Sequence, residues 1–198
     1  MTKADQLLTH IQRAGIVRVK EFADRGFPSV YFQRLCRQGS LERVSRGVYR
    51  LSHAELTLSH SLAIAAKRVP NSVVCLLSAL AYHELTTSVP PHVWLAIAQK
   101  ARRPTLSDLP VQFVYWTKPF MVTGCDEWPI EGVTVRITNP ARTVADCFKY
   151  RHKIGLDVAL EALRQVLRSG SCTVDDLWRY AALCRVQTVM RPYLEALV

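Results

Sequence analysis

Residues 28–51, PSVYFQRLCRQGSLERVSRGVYRL, decide the fold of the N-terminal part of this chain. Pro28 suits the first turn of a helix, where its missing N–H has no intrahelical partner, and Ser29 sits where a capping hydroxyl is useful. Tyr31, Phe32, Leu35 and Cys36 then recur at helical spacing as one apolar stripe, while Gln33, Arg34 and Arg37 point to the other side. Gly39 supplies the positive-φ stop that commonly ends a helix. Beyond it, Leu41, Val44, Val48 and Leu51 mark two short strands joined at Ser45-Arg46-Gly47, where Gly47 can turn left-handed. Arg43, Arg46 and Arg50 lie on this hairpin, with Arg46 at its tip.

A helix with one polar, arginine-bearing face followed by an arginine-tipped hairpin has the arrangement of a winged helix-turn-helix. Such a helix can enter a major groove while the hairpin reaches phosphates or the minor groove. The plainer alternative is an α-β-β unit whose arginines are merely solvated. What precedes the stretch favours the former. Leu7, Leu8, Ile11 and Ala14 give a helix over 3–14 that Gly15 ends, and Val19, Phe22 and Ala23 face inward in a second short helix before Gly26. Helix, short helix, turn, helix and hairpin within the first 53 residues is the full winged-helix order.

Charge points the same way. The chain of 198 residues carries a net charge of +10, which favours a polyanionic partner, because each cation placed on a phosphate releases a counterion. Residues 1–53 hold ten Lys/Arg against four Asp/Glu, and the remainder sixteen against twelve, so the N-terminal quarter is the electropositive part. With 49% hydrophobic and 21% charged residues the composition is that of a folded globular protein. The six cysteines, at 36, 75, 125, 147, 172 and 184, form no CxxC pair and no zinc-type spacing, and are expected as reduced core residues of a cytoplasmic protein. No metal or other cofactor is expected. No signal peptide or membrane-length apolar run is read.

After a polar linker near Ser52-His53-Ala54-Glu55, residues 55–69 read as a helix with Leu58, Leu62, Ala65 and Ala66 buried. Residues 73–85, VVCLLSALAYHEL, read as a buried helix. Within it Ser78 is expected to bond the carbonyl four residues back, and His83 to sit near a helix C-terminus that favours its charge. Strands are expected at 92–99, 111–116 and 132–139, with 117–131 as an irregular connection. The loop between the first two strands carries Lys100, Arg102 and Arg103, a solvated loop by default and a second basic patch otherwise. Helices are expected over 139–150, 156–168, 173–184 and 188–197. Arg142 and Asp146, four apart, are expected to form an ion pair on one helix. A nuclease would need clustered carboxylates, and the three expected strands carry none in their cores, so no catalytic residue is assigned.

The run RLCRQGSLERVSRGVYRL resembles the N-terminal domain of AbiEi-type antitoxins, transcriptional regulators of type IV toxin–antitoxin systems. The motifs that carry the resemblance are Arg34, Arg37 and Gly39, then Leu41-Glu42-Arg43-Val44 and Arg46-Gly47-Val48-Tyr49. In the second half, the Ser-Ala-Leu-Ala helix at 78–81 and NPARTVADCF from Asn139 are similar to the family's C-terminal domain, extending the resemblance over about residues 3–170. The fold expected is α+β: a winged helix-turn-helix over 1–53, then a C-terminal α/β domain over 54–198 with a small sheet and a helical layer. The resemblance implies autorepression by binding double-stranded DNA at inverted repeats in the protein's own promoter. It also implies neutralisation of a co-encoded nucleotidyltransferase toxin, for which a tight direct complex is not required. The expected DNA contacts are Ser29, Gln33, Arg34 and Arg37 on the helix and Arg43, Arg46 and Arg50 on the wing. Alternatives are a solitary ligand-responsive winged-helix repressor and a DNA-targeted nuclease.

Overall fold

The computed structural model describes residues 2–55 and 57–197. The chain groups into two compact units. The first comprises Met1–Asn71 together with Arg103–Pro110 and Glu127–Val135, and the second comprises Ser72–Arg102, Val111–Asp126 and Arg136–Val198.

In the first unit, α1 (Lys3–Ala14) is opened by a capping box between Thr2 and Asp5 and stopped at Gly15. It is followed by β1 (Val17–Arg18), α2 (Lys20–Ala23), α3 (Ser29–Arg37), β2 (Leu41–Ser45), β3 (Val48–Leu51) and α4 (His60–Arg68). The three strands form an antiparallel sheet in the order β1-β3-β2. Leu7, Ile11, Val17, Phe22, Phe27, Phe32, Leu35, Leu41 and Tyr49 are its core. Phe22, Phe27 and Phe32 meet edge-on at 6.1–6.3 Å, the geometry that the ring quadrupoles favour. This is the winged helix-turn-helix expected from the sequence. Ala23, expected inside, is exposed. The boundary of α3 is also shifted by one residue: Pro28 is the N-cap in extended conformation, and Ser29 is the first helical residue without a side-chain cap.

The helix expected over 55–69 begins only at His60, and Leu58, expected on its buried side, is exposed; Leu56 lies outside the described residues. A residue distant in sequence takes the hydrogen bonds of this approach. The Glu131 carboxylate accepts from both the N–H and the hydroxyl of Thr57 at 2.9 Å and meets His60 Nδ1 at 2.7 Å, which holds the approach to α4 out of a helical path.

The second sheet is five-stranded and mixed. Its strands are β4 (Val73–Val74), β5 (Val93–Ala98), β6 (Val111–Trp116), β7 (Cys125–Ile130) and β8 (Val133–Thr138), in the order β6-β5-β4-β8-β7. The helices are α5 (Leu76–Tyr82), α6 (Lys118–Val122), α7 (Pro140–Lys149), α8 (Arg151–Ile154), α9 (Leu156–Ser169), α10 (Val174–Cys184) and α11 (Gln187–Glu195). α7 is the central helix and packs against α5, α9 and α10. Residues 141–148 within it are all buried.

Two expectations are corrected here. Residues 73–85 are a short strand and then a helix. Val73 and Val74 pair with β5 and β8, and the chain breaks into α5 at Leu76, whose φ is +49°. A short apolar run fits a buried strand as well as a buried helix. Residues 117–131, expected to be irregular, contain α6 and the edge strand β7. The sequence of β7, CDEWPI, carries two acids and a proline, as edge strands often do, and so lacks the usual strand pattern.

Candidate nucleic-acid interface

Why α3 presents a polar face follows from where its apolar residues go. Phe32 and Leu35 are buried beneath it, so positions 29, 30, 33, 34 and 37 turn outward together. Ser29, Gln33, Arg34 and Arg37 are exposed. No hydrogen bond or ion pair within the described residues engages the side chains of Gln33, Arg34 or Arg37. Their donors are therefore open to an external acceptor. Val30 lies on the same face and is 66% exposed, a feature not singled out in the sequence.

The wing is a two-residue turn. Ser45 pairs with Val48 across it, and Gly47 takes φ +71°. Arg46 is exposed at the tip. Arg43 is exposed too, and its Nε donates to the Ser45 carbonyl at 3.4 Å. The turn is held from below by Asp108. Its carboxylate accepts from Ser45 Oγ at 2.6 Å and from the Arg46 backbone N–H at 2.8 Å, and pairs with Arg68 at 3.1 Å. Arg68 also donates to Ser45 Oγ. The Ser45 and Arg46 donors hold the Asp108 carboxyl well below the usual carboxylate range. Asp108 lies 62 residues beyond Arg46, so nothing in the local sequence signalled it.

Arg50, expected as a contact, is placed differently. It is only 5% exposed, with Nη2 on Glu42 at 2.7 Å and Nη1 on the Ala54 carbonyl at 2.6 Å. A register shift between Arg43 and Ser45 sets Glu42 directly opposite Arg50, and the cross-strand pair consumes the guanidinium. The side chain supports the hairpin from inside and is not presented to a partner. Lys100, Arg102 and Arg103 are exposed in the connection between β5 and β6.

In the second unit, the expected Arg142–Asp146 pair forms at 2.9 Å, with both side chains fully buried. Arg142 also donates to the Thr123 carbonyl at 2.7 Å and lies over the rings of Trp116 and Phe120 at 4.9 and 4.8 Å. Burial pushes the Asp146 carboxyl up from its ordinary value, against the pull of the Arg142 guanidinium. Cys184 Sγ contacts Asp146 at 3.2 Å. β7 adds Asp126 and Glu127, which the sequence reading left out of any strand. Among the described residues, no three His, Cys, Asp or Glu side chains gather as a metal site would require.

Ser78 does not bond back along its helix as expected: it accepts from the Trp94 N–H at 2.9 Å and faces the His92 carbonyl at 3.4 Å. His83 does end α5, but it is half-buried with its ring on the Thr138 carbonyl at 2.7 Å, and this partial burial pushes its imidazole pKa down. It therefore favours the neutral form, the reverse of the expected charge. The cysteines are free thiols, with Cys75, Cys147 and Cys184 buried and Cys36, Cys125 and Cys172 partly so.

No curated protein matches the chain. Among solved structures, the crystal structure of the RV2827C protein from Mycobacterium tuberculosis is similar in fold. The TM-score is 0.57 at 14% identity, over 90% of this chain and 71% of that one. No helix among the described residues is long and apolar enough to cross a membrane. The segment NPARTVADCF lies beyond the region of family similarity, which covers the winged helix-turn-helix: residues 5–52 match the family described as "Transcriptional regulator, AbiEi antitoxin".

Proposed function

We propose that the protein is a cytoplasmic, non-enzymatic transcriptional autorepressor and antitoxin of a type IV, abortive-infection-like system. Residues 1–53 are its DNA-binding domain, and residues 54–198 are the antitoxin domain that counters a co-encoded nucleotidyltransferase toxin. The observation that carries the DNA-binding half is the face of α3, where Gln33, Arg34 and Arg37 are exposed without internal partners, with Arg46 exposed at the tip of the wing. Gln33 and Arg34 are the base-reading candidates, since Gln pairs bidentately with adenine and Arg with guanine. Ser29 and Arg37 flank them, and Arg43 and Arg46 hold phosphate. The family similarity over residues 5–52 supports the regulatory role. The non-enzymatic reading is supported by Asp146, which is committed to Arg142 in the interior.

The test separates the two kinds of contact. Arg34→Ala is expected to cost about 1–3 kcal/mol and to relax preference at one position of the operator. Arg46→Ala is expected to weaken all sequences alike and to lower the slope of log affinity against log salt by about one. Unchanged operator affinity in both variants would remove the assignment of this face.

A further inference from the structure

We infer that Val30 reads the C5-methyl group of a thymine in the operator, which makes it a specificity-determining residue of the proposed DNA-binding face. The inference rests on that reading and deepens it.

Val30 is the second residue of α3 and is 66% exposed, although the core of this unit lies directly on the other side of the helix. It is the large apolar side chain on a face otherwise made of Ser29, Gln33, Arg34 and Arg37. Helix propensity does not call for it, because β-branched valine loses side-chain freedom in a helix and an exposed position is better served by Ala, Lys or Glu. Its place in the helix does suit DNA. When a recognition helix enters the major groove, its N-terminal residues contact the base edges, and Val30 is in that first turn. Gln33 and Arg34 lie three and four residues on, so they share its strip of surface and flank its methyl groups. In the major groove the apolar feature that distinguishes one base from the rest is the thymine methyl. An apolar side chain held between two hydrogen-bonding ones therefore specifies a thymine next to the base pair that Gln33 or Arg34 reads.

The experiment uses the full chain and DNA from its own upstream region, with thymines replaced one at a time by deoxyuridine. The substitution deletes the methyl and leaves every hydrogen-bonding group in place. Wild-type protein is expected to lose about fourfold in affinity at one thymine per half-site, the scale of one methyl group removed from water. Val30→Ala is expected to bind the unmodified DNA about fourfold more weakly and to be indifferent to the uridine at that position. Val30→Thr, which keeps the branched shape, is a second check and should retain part of the preference. Two results would overturn the inference while leaving the DNA-binding reading intact: sequence-specific binding with no thymine methyl mattering, or the same uridine penalty in Val30→Ala as in wild type. Equal binding to the upstream region and to scrambled DNA would overturn both.

Discussion

At the scale of single residues, position in the sequence says which groups are available, and neighbours distant in sequence decide what they do. Arg50 shows this most directly. In a regular two-residue hairpin closing between Ser45 and Val48, Arg50 would stand opposite Arg43, and both would read as exposed wing cations. The register shift sets Glu42 there instead and draws Arg50 inward. No residue in the stretch announces that bulge, so Arg50 reads as an exposed cation and is buried, while Arg34, Arg37, Arg43 and Arg46 are exposed as their positions suggest. His83 differs for a similar reason: its place at a helix end is legible, but its half-buried contact with the Thr138 carbonyl is not. Its consequence is a pH dependence. Because the folded protein binds the His83 proton less readily than the unfolded chain does, acidification through about 6.5 loads protons preferentially onto the unfolded state. Stability is therefore expected to fall between pH 7.5 and 5.5, by at most about 1.4 kcal/mol per pH unit from this one group. Thermal unfolding of wild type and His83→Gln at both pH values checks this, the variant being expected to lose less on acidification. Equal losses would mean that His83 titrates as it does in the unfolded chain.

At the scale of elements, what was legible depended on whether an element is specified by its own residues. α1, α7 and α10 carry their side-chain caps locally, as Asn139 capping α7 and the Thr173–Asp176 box of α10 illustrate, and α3 and α9 carry their apolar stripes. β4 and β7 do not. Two valines become a strand only because β5 and β8 lie on either side, and CDEWPI becomes one as the edge beyond β8. The wing is another element completed from elsewhere in sequence, through Asp108. That bond network gives a prediction with a telling sign. Removing a negative charge beside the wing tip should strengthen DNA binding if electrostatics alone mattered. Asp108 instead fixes the turn, accepting from Ser45 and from the Arg46 backbone while holding Arg68. Asp108→Ala is thus expected to weaken operator binding about three- to tenfold, the scale of one ordinary net hydrogen bond of about 0.5–1.5 kcal/mol lost from a positioning contact. Asp108→Asn, which keeps an acceptor, should weaken it less. Tighter binding by Asp108→Ala in an equilibrium titration would show that the carboxylate acts only as a charge.

At the scale of the whole molecule, composition was informative about the partner class and silent about the second half's role. The excess of cations in residues 1–53 and their placement on α3 and the wing point to a polyanion with a groove. Residues 54–198 carry a thinner excess of cations, sixteen against twelve acids, and their most distinctive feature, the buried Arg142–Asp146 pair against Trp116 and Phe120, is architectural. That pair was legible as an i,i+4 spacing, but its complete burial comes from the helices and rings around it. The most direct test of the central claim is therefore on DNA: an equilibrium titration of the intact protein against its own upstream region and against scrambled DNA, repeated at several salt concentrations. A preference of about a thousandfold or more for the upstream DNA, with a steep salt slope, is the expected result. Equal, weak binding to both sequences would contradict it, leaving the basic winged helix as a non-specific anchor.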